Sequence, residues 1–250
     1  CSEPSCPLWN ILAECLVFFF SNSTNFLPSS SWVPPAASPT AILKRLAEAS
    51  PVVSSRRLAA MQAALQDGFC RRHPAKHAQM RAELRNRWPV VWLTLRQHNR
   101  KWVDEGAHLS RLVKAVTAKY PRAAFVLDGM GDVRASADEI LQTRTHIVDA
   151  VGCSFTESLA CFSLCDSYVM PYSNSCALHM VDPRPGVVHG LKGWIPDEPF
   201  EPAITENKVL ARVVHGEKHP SGDRDYDAWV TTCDYDLSGD LVLATLLEVL

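Results

Sequence analysis

Arg96 and Arg100 stand four positions apart in a polar stretch, with Asn99 beside them, directly after the apolar run Val90-Val91-Trp92-Leu93-Thr94-Leu95. A guanidinium fork is the side chain best shaped to hold phosphate or carboxylate, and ligands of an open α/β sheet bind at the carboxyl ends of its strands. A second polar loop, Pro171-Tyr172-Ser173-Asn174-Ser175, follows another apolar run and opens a helical turn through Leu178, His179 and Met180. Ser173, Asn174 and Ser175 offer hydroxyl, amide and main-chain N–H groups at a helix start, where the dipole favours negative charge. The two loops together suit a nucleotide diphosphate, with Arg96 or Arg100 neutralising what charge remains. Asp128, leaving a strand over 123–127, adds a carboxylate at that edge, and His179 lies near it. The plainer alternatives stay open: solvated loop arginines, serines that only cap a helix, and a histidine satisfied within the core.

These residues need a scaffold that brings distant loops to one edge, and from 89 onward the pattern supplies one. Short β-rich runs at 90–95, 123–127, 167–170 and 186–189 alternate with helical periodicity. Leu109, Leu112, Val113 and Val116 mark the first helix; 137–151, 156–165 and 241–250 are read as further helices, and 209–214 as a candidate edge strand. Strand and helix in alternation predict an open, mostly parallel, Rossmann-like sheet with helices on both faces. Before it, 8–20 is apolar, 21–40 is rich in serine and proline, and three short helical patterns follow without a convincing strand. The expected organisation is a helical, linker-like extension over 1–88 and an α/β domain over 89–250.

Composition narrows the field. With 250 residues and 47% hydrophobic, the chain can bury one sizeable core. A net charge of -2 gives no global argument for nucleic acid. The basic stretch Arg71, Arg72, Lys76, Arg81, Arg85, Arg87 reads as a solvated face with too few aromatics for a nucleic-acid surface. The apolar segment 8–20 is shorter than the roughly twenty residues a spanning helix needs. Peripheral association with a membrane stays open. Nine cysteines at irregular spacing, with no Cys-x-x-Cys, predict reduced thiols and a cytoplasmic setting. The chain begins with Cys1 rather than methionine, which suggests a fragment of a longer protein.

Several chemistries drop out on motif grounds. Asp128-Gly129-Met130-Gly131 lacks the third glycine of a dinucleotide fingerprint and follows the second strand. No P-loop and no Gly-x-Ser-x-Gly elbow occurs. Asp223, Asp225 and Asp227 alternate as in a calcium loop, but Ala228 stands where glycine is required. Asp225-Tyr226-Asp227 and Asp234-Tyr235-Asp236 match the Asp-x-Asp pattern that can hold a metal and a sugar nucleotide, yet lie late in the chain; they read as a solvated acidic loop. Cys161 and Cys165, one helical turn apart without paired histidines, read as small core residues.

From Asp166-Ser167-Tyr168-Val169-Met170-Pro171 through Tyr172-Ser173-Asn174-Ser175-Cys176-Ala177-Leu178-His179 to Pro185-Gly186-Val187-Val188-His189-Gly190, the layout resembles the C-terminal, nucleotide-sugar-binding half of GT-B glycosyltransferases of the bacterial heptosyltransferase type. Ser173 and Ser175 stand where that pattern has aspartate and glycine. The resemblance implies a nucleotide-sugar donor, a glycan or small-molecule acceptor, no obligatory metal or other cofactor, a donor diphosphate held by the small polar loop, assistance from Arg96 with Arg100 beside it, and sugar or ribose contacts for which Asp128, Glu157 and His179 are the candidates. It also implies a second α/β domain that supplies the acceptor base, which 1–88 is too short and too helical to be, so the chain is expected to be a truncated or degenerate enzyme. A non-catalytic α/β module that binds a nucleotide or anion is the alternative.

Overall fold

Val90–Leu95 forms β1, buried at every position because the strand is covered on both faces. Val91, Leu93 and Leu95 enter one core cluster and Val90 and Trp92 the other, so the run is continuously apolar, as a central parallel strand must be. The structure is a computed structural model that describes residues 63, 66–96, 101–173, 175–192, 211–220 and 234–250, all within the unit Ser54–Leu250. Strands β2 (Ala124–Gly129), β3 (Ile147–Asp149), β4 (Ser167–Pro171), β5 (Gly186–Leu191), β6 (Ala211–Lys218) and β7 (Tyr235–Asp236) join β1 in a seven-stranded sheet. The order is β3-β2-β1-β4-β5-β6-β7. All neighbours are parallel except β7, which runs antiparallel to β6.

Helices cover both faces. α2 (Glu105–Lys119), α3 (Arg134–Leu141) and α6 (Gly239–Val249) bring Leu109, Ala137 and Val242 to one core. α1 (Pro74–Glu83), α4 (Phe155–Phe162) and α5 (Cys176–Val181) belong to the other side, where Met80, Leu159 and Leu178 meet Trp92 and Val126. This is the open, mostly parallel α/β sheet that the alternating pattern predicts. β1 is followed by α2 on one face and β4 by α5 on the opposite face, so the connections diverge between two adjacent strands. Such a divergence opens the crevice where doubly wound sheets bind ligands.

Two expectations need correction. Residues 137–151 are not one helix: α3 ends at Leu141, and Ile147–Asp149 is the edge strand β3. Thr143, Thr145, Ile147 and Val148 crowd β-branched side chains into this stretch, Arg144 takes a left-handed φ of 58°, and the open edge of β2 accepts the segment through the Phe125 N–H to His146 carbonyl bond. Nor is 209–214 an edge. β6 runs to Lys218 and is flanked by β5 and by β7, which meets it through the pairs Glu217↔Asp236 and Lys218↔Tyr235. Cys161 and Cys165 are core residues as expected, each 1% exposed, with burial pushing both thiols up in pKa.

The sheet is tight enough to make a glycine obligatory. Gly186 lies opposite Tyr168 in the β4·β5 ladder, and a Cβ there would stand 2.5 Å from the ring, which is itself fully buried. Gly186→Ala should cost about 1–3 kcal/mol by overpacking. Urea unfolding measures it; a midpoint equal to wild type would show that the ring has room to move.

Candidate functional site

The site is built from the register of β1 and β4. Leu93 lies opposite Val169, so Leu95 comes level with Pro171, and Arg96 and the loop Tyr172-Ser173 leave neighbouring strands at the same edge. Arg96 is half-buried, and its positive charge acts on two groups at that edge. It favours the ionised form of Glu105, at the start of α2, and of Cys176, at the start of α5, although burial pushes the Cys176 thiol up to about 12. The charge of Arg96 is thus felt at the first turns of both helices that diverge from the switch point.

The serine loop is shaped by its own hydroxyls. Ser173 Oγ and Ser175 Oγ are 2.8 Å apart, the Ser175 N–H donates to Ser173 Oγ at 3.2 Å, and Ser175 Oγ donates to the Pro171 carbonyl at 3.3 Å. This is a serine turn that fixes the chain as it leaves β4. Ser175 precedes α5 without making a side-chain capping bond. Arg96, Ser173 and Ser175 therefore share one rim; Asn99, Arg100 and Asn174 lie outside the described residues.

The remaining candidates have structural employment. Glu157 closes a capping box on α4, accepting from the Ser154 N–H at 2.8 Å and the Ser154 hydroxyl at 2.7 Å, bonds that hold its carboxyl below the usual range. His179 is 4% exposed, packs on Tyr168 and accepts the Arg184 N–H through Nδ1 at 3.3 Å. Asp128 pairs with Thr94 across the ladder and accepts from the Ser158 hydroxyl at 3.1 Å beneath α4, on the face opposite α2. Burial raises its pKa to about 6.

The sequence reading missed how the arginine loop is held. Trp102 is fully buried, donates its Nε1–H to the Leu237 carbonyl at 2.9 Å, stacks on His108 with 4.9 Å between centroids, and meets His189 edge-on at 5.0 Å. The segment 234–236 takes up the loop's main chain. Asp234 Oδ1 accepts the Lys101 N–H, Tyr235 N–H donates to the Lys101 carbonyl, and Val103 N–H donates to the Tyr235 carbonyl. Tyr235 is buried and lies 2.7 Å from His189 Nδ1 through its hydroxyl, so Asp234-Tyr235-Asp236 is not a wholly solvated acidic loop: Asp236 is exposed and paired with His219 at 2.8 Å, while Asp223, Asp225 and Asp227 lie outside the described residues. A tryptophan alone among charged residues six positions before a histidine was the available signal. Among the described residues no cluster of three or more His, Cys, Asp or Glu is arranged to hold a metal ion, and no helix is long and apolar enough to cross a membrane.

Fold and rim together define a doubly wound α/β unit with an arginine and a serine turn at its switch point. No family model matches the sequence, and no curated protein matches it. Solved structures similar to it include E. coli ADP-heptose lps heptosyltransferase II, with a TM-score of 0.49 at 16% identity over 70% of this chain and 50% of that one. A glycosyl transferase family 9 protein from Veillonella parvula DSM 2008 follows at TM-score 0.44 and 13% identity, over 56% of this chain and 40% of that one. UDP-GlcNAc 2-epimerase from Neisseria meningitidis gives 0.37 and 13%, over 60% and 40%. The chain spans half or less of the length of each of these proteins.

Proposed function

We propose that this chain is the nucleotide-sugar-binding part of a GT-B-type glycosyltransferase that moves a sugar from a nucleotide donor to a glycan or small acceptor without an obligatory metal. The observation that supports it is the placement of Arg96 and the Ser173–Ser175 turn on adjacent parallel strands at the switch point. Departure of a nucleoside diphosphate leaves charge on its phosphate oxygens, and a preplaced guanidinium with main-chain N–H groups stabilises that charge as it forms. Arg96 takes this role, with Asn99, Arg100 and Asn174, close to it and to Ser173 in sequence, as further candidates. Among the described residues, cysteines 70, 153, 161, 165 and 176 carry free thiols, which suits the cytoplasm, where nucleotide sugars are at hand.

A thermal-shift panel of UDP, GDP and ADP tests the reading. A bound diphosphate at a hundredfold over its Kd adds about 2.7 kcal/mol, and Arg96→Ala should weaken binding by roughly tenfold to a hundredfold, the worth of one charge-assisted contact. No stabilisation by any of the three nucleotides would end the proposal. Binding without sugar transfer or donor hydrolysis would identify a non-catalytic anion-binding module instead.

A further inference from the structure

Among the described residues, Glu105 is the one buried acid on the α2 face of the rim that the functional reading does not use. It is 2% exposed at the first position of α2. Its Oε2 accepts the main-chain N–H of Arg96 at 3.0 Å, the first amide beyond β1, while Oε1 is buried with no hydrogen-bond partner. A buried oxygen without a partner is costly. The main chain of Arg96 is where the strand ends and the loop begins, so a group that fixes this amide sets where the guanidinium starts.

We propose that Glu105 is a positioning residue for the anion site, pinning the Arg96 main chain where β1 opens into the loop. This rests on the functional reading for the nature of the anion. Beside a diphosphate the carboxyl must be uncharged, since a second negative group would repel the ligand and draw Arg96 toward itself. Burial favours that state and raises the Glu105 pKa to about 8 against the opposing pull of Arg96 and Lys101. Other titratable groups on the surrounding elements include Asp104, His108 and Arg111 at α2, Glu139 on α3 against Gly106, Cys176 on α5, His189 on β5, Asp240 on α6, and Asp234, Tyr235 and Asp236 on the segment that holds Lys101. His189 is driven down to about 3 by burial, so it is neutral wherever Glu105 titrates.

The test measures the affinity of the full chain for inorganic pyrophosphate by calorimetry at pH 7 and pH 9, in wild type, Glu105→Gln and Glu105→Ala, together with amide exchange at Arg96. Glutamine keeps an acceptor for the Arg96 N–H and never ionises, and comparing it with wild type removes the ligand's own titration. Wild type should lose roughly threefold to tenfold more affinity than Glu105→Gln between the two pH values, as expected of a like charge brought near the anion. Glu105→Ala should bind more weakly at both and exchange the Arg96 amide faster, while Glu105→Gln keeps it protected. Equal pH profiles in wild type and Glu105→Gln, or an Arg96 amide that exchanges alike in all three, would overturn the inference while leaving the functional reading standing. Failure of wild type to bind pyrophosphate at either pH would overturn both. If Glu105→Ala does not fold, the glutamine comparison decides alone.

Discussion

Replacing Trp102 with alanine will cost about 3–5 kcal/mol of folding stability, the range for truncating a buried tryptophan. The side chain is 1% exposed and touches three structural levels at once. It stacks on His108 of α2, meets His189 of β5 edge-on, and donates to the Leu237 carbonyl just before α6. Alanine leaves a cavity in the larger core cluster and strands the Leu237 carbonyl. Trp102→Phe keeps most of the ring and loses only the donor, so its cost should be nearer about 1–2 kcal/mol. Urea unfolding of both variants gives the two numbers, and a phenylalanine variant as unstable as the alanine one would mean that the hydrogen bond, not the packing, carries the anchor. The functional consequence separates them as well. Trp102 follows Arg96 by six residues in the chain, and with the Lys101 and Val103 main-chain bonds to Tyr235 it ties 101–103 to β7. Even at temperatures where it stays folded, Trp102→Ala should lose nucleoside-diphosphate stabilisation, whereas Trp102→Phe should retain most of it.

That anchor shows which parts of the molecule a linear reading can reach. β1, α2 and β2 were legible because each is specified by its own residues: an unbroken apolar run for a strand buried on both faces, then an apolar stripe at helical spacing. Their polar ends placed Arg96 at the rim without knowledge of any partner. β3 was not legible, since its few residues become a strand only because β2 offers an open edge, and 137–151 taken alone reads as one helix. The role of Trp102 was hidden for the same kind of reason: its hydrogen-bond acceptor lies 135 residues away. Asp234-Tyr235-Asp236 has the local chemistry of a solvated acidic turn, and only pairing with Lys101, Val103 and Lys218 buries its tyrosine. Glu105 was camouflaged differently. An acid in the first turn of a helix is an ordinary complement to the dipole, and that it faces inward depends on where α2 sits on the sheet.

The burial of Glu105 has a thermodynamic signature that can be measured without any ligand. In the unfolded chain its carboxyl ionises near 4.5, and in the folded protein near 8. Above 4.5 the unfolded state therefore releases a proton that the folded state keeps, and each further pH unit lowers stability by about 1.4 kcal/mol until the folded carboxyl ionises too. Two other buried groups act at lower pH. Asp128, raised from 3.8 to about 6, lowers stability as pH climbs through that interval and is silent above it. His189, lowered from 6.5 to about 3, has the opposite sense: its contribution is complete above 6.5 and is lost as pH falls toward 3. Between pH 6.5 and 8 both are constant, and Glu105 is left to act. Folding stability should accordingly fall by about 2 kcal/mol across that window, where most proteins are near their best. Glu105→Gln removes the titrating group, so its stability should be level from pH 6.5 to 8 and exceed that of wild type most at the upper end. Guanidinium unfolding of the two proteins at both pH values makes the comparison. A parallel decline in Glu105→Gln would assign the slope to other groups, and a wild type equally stable at both ends would mean that the Glu105 carboxyl is already ionised at neutral pH.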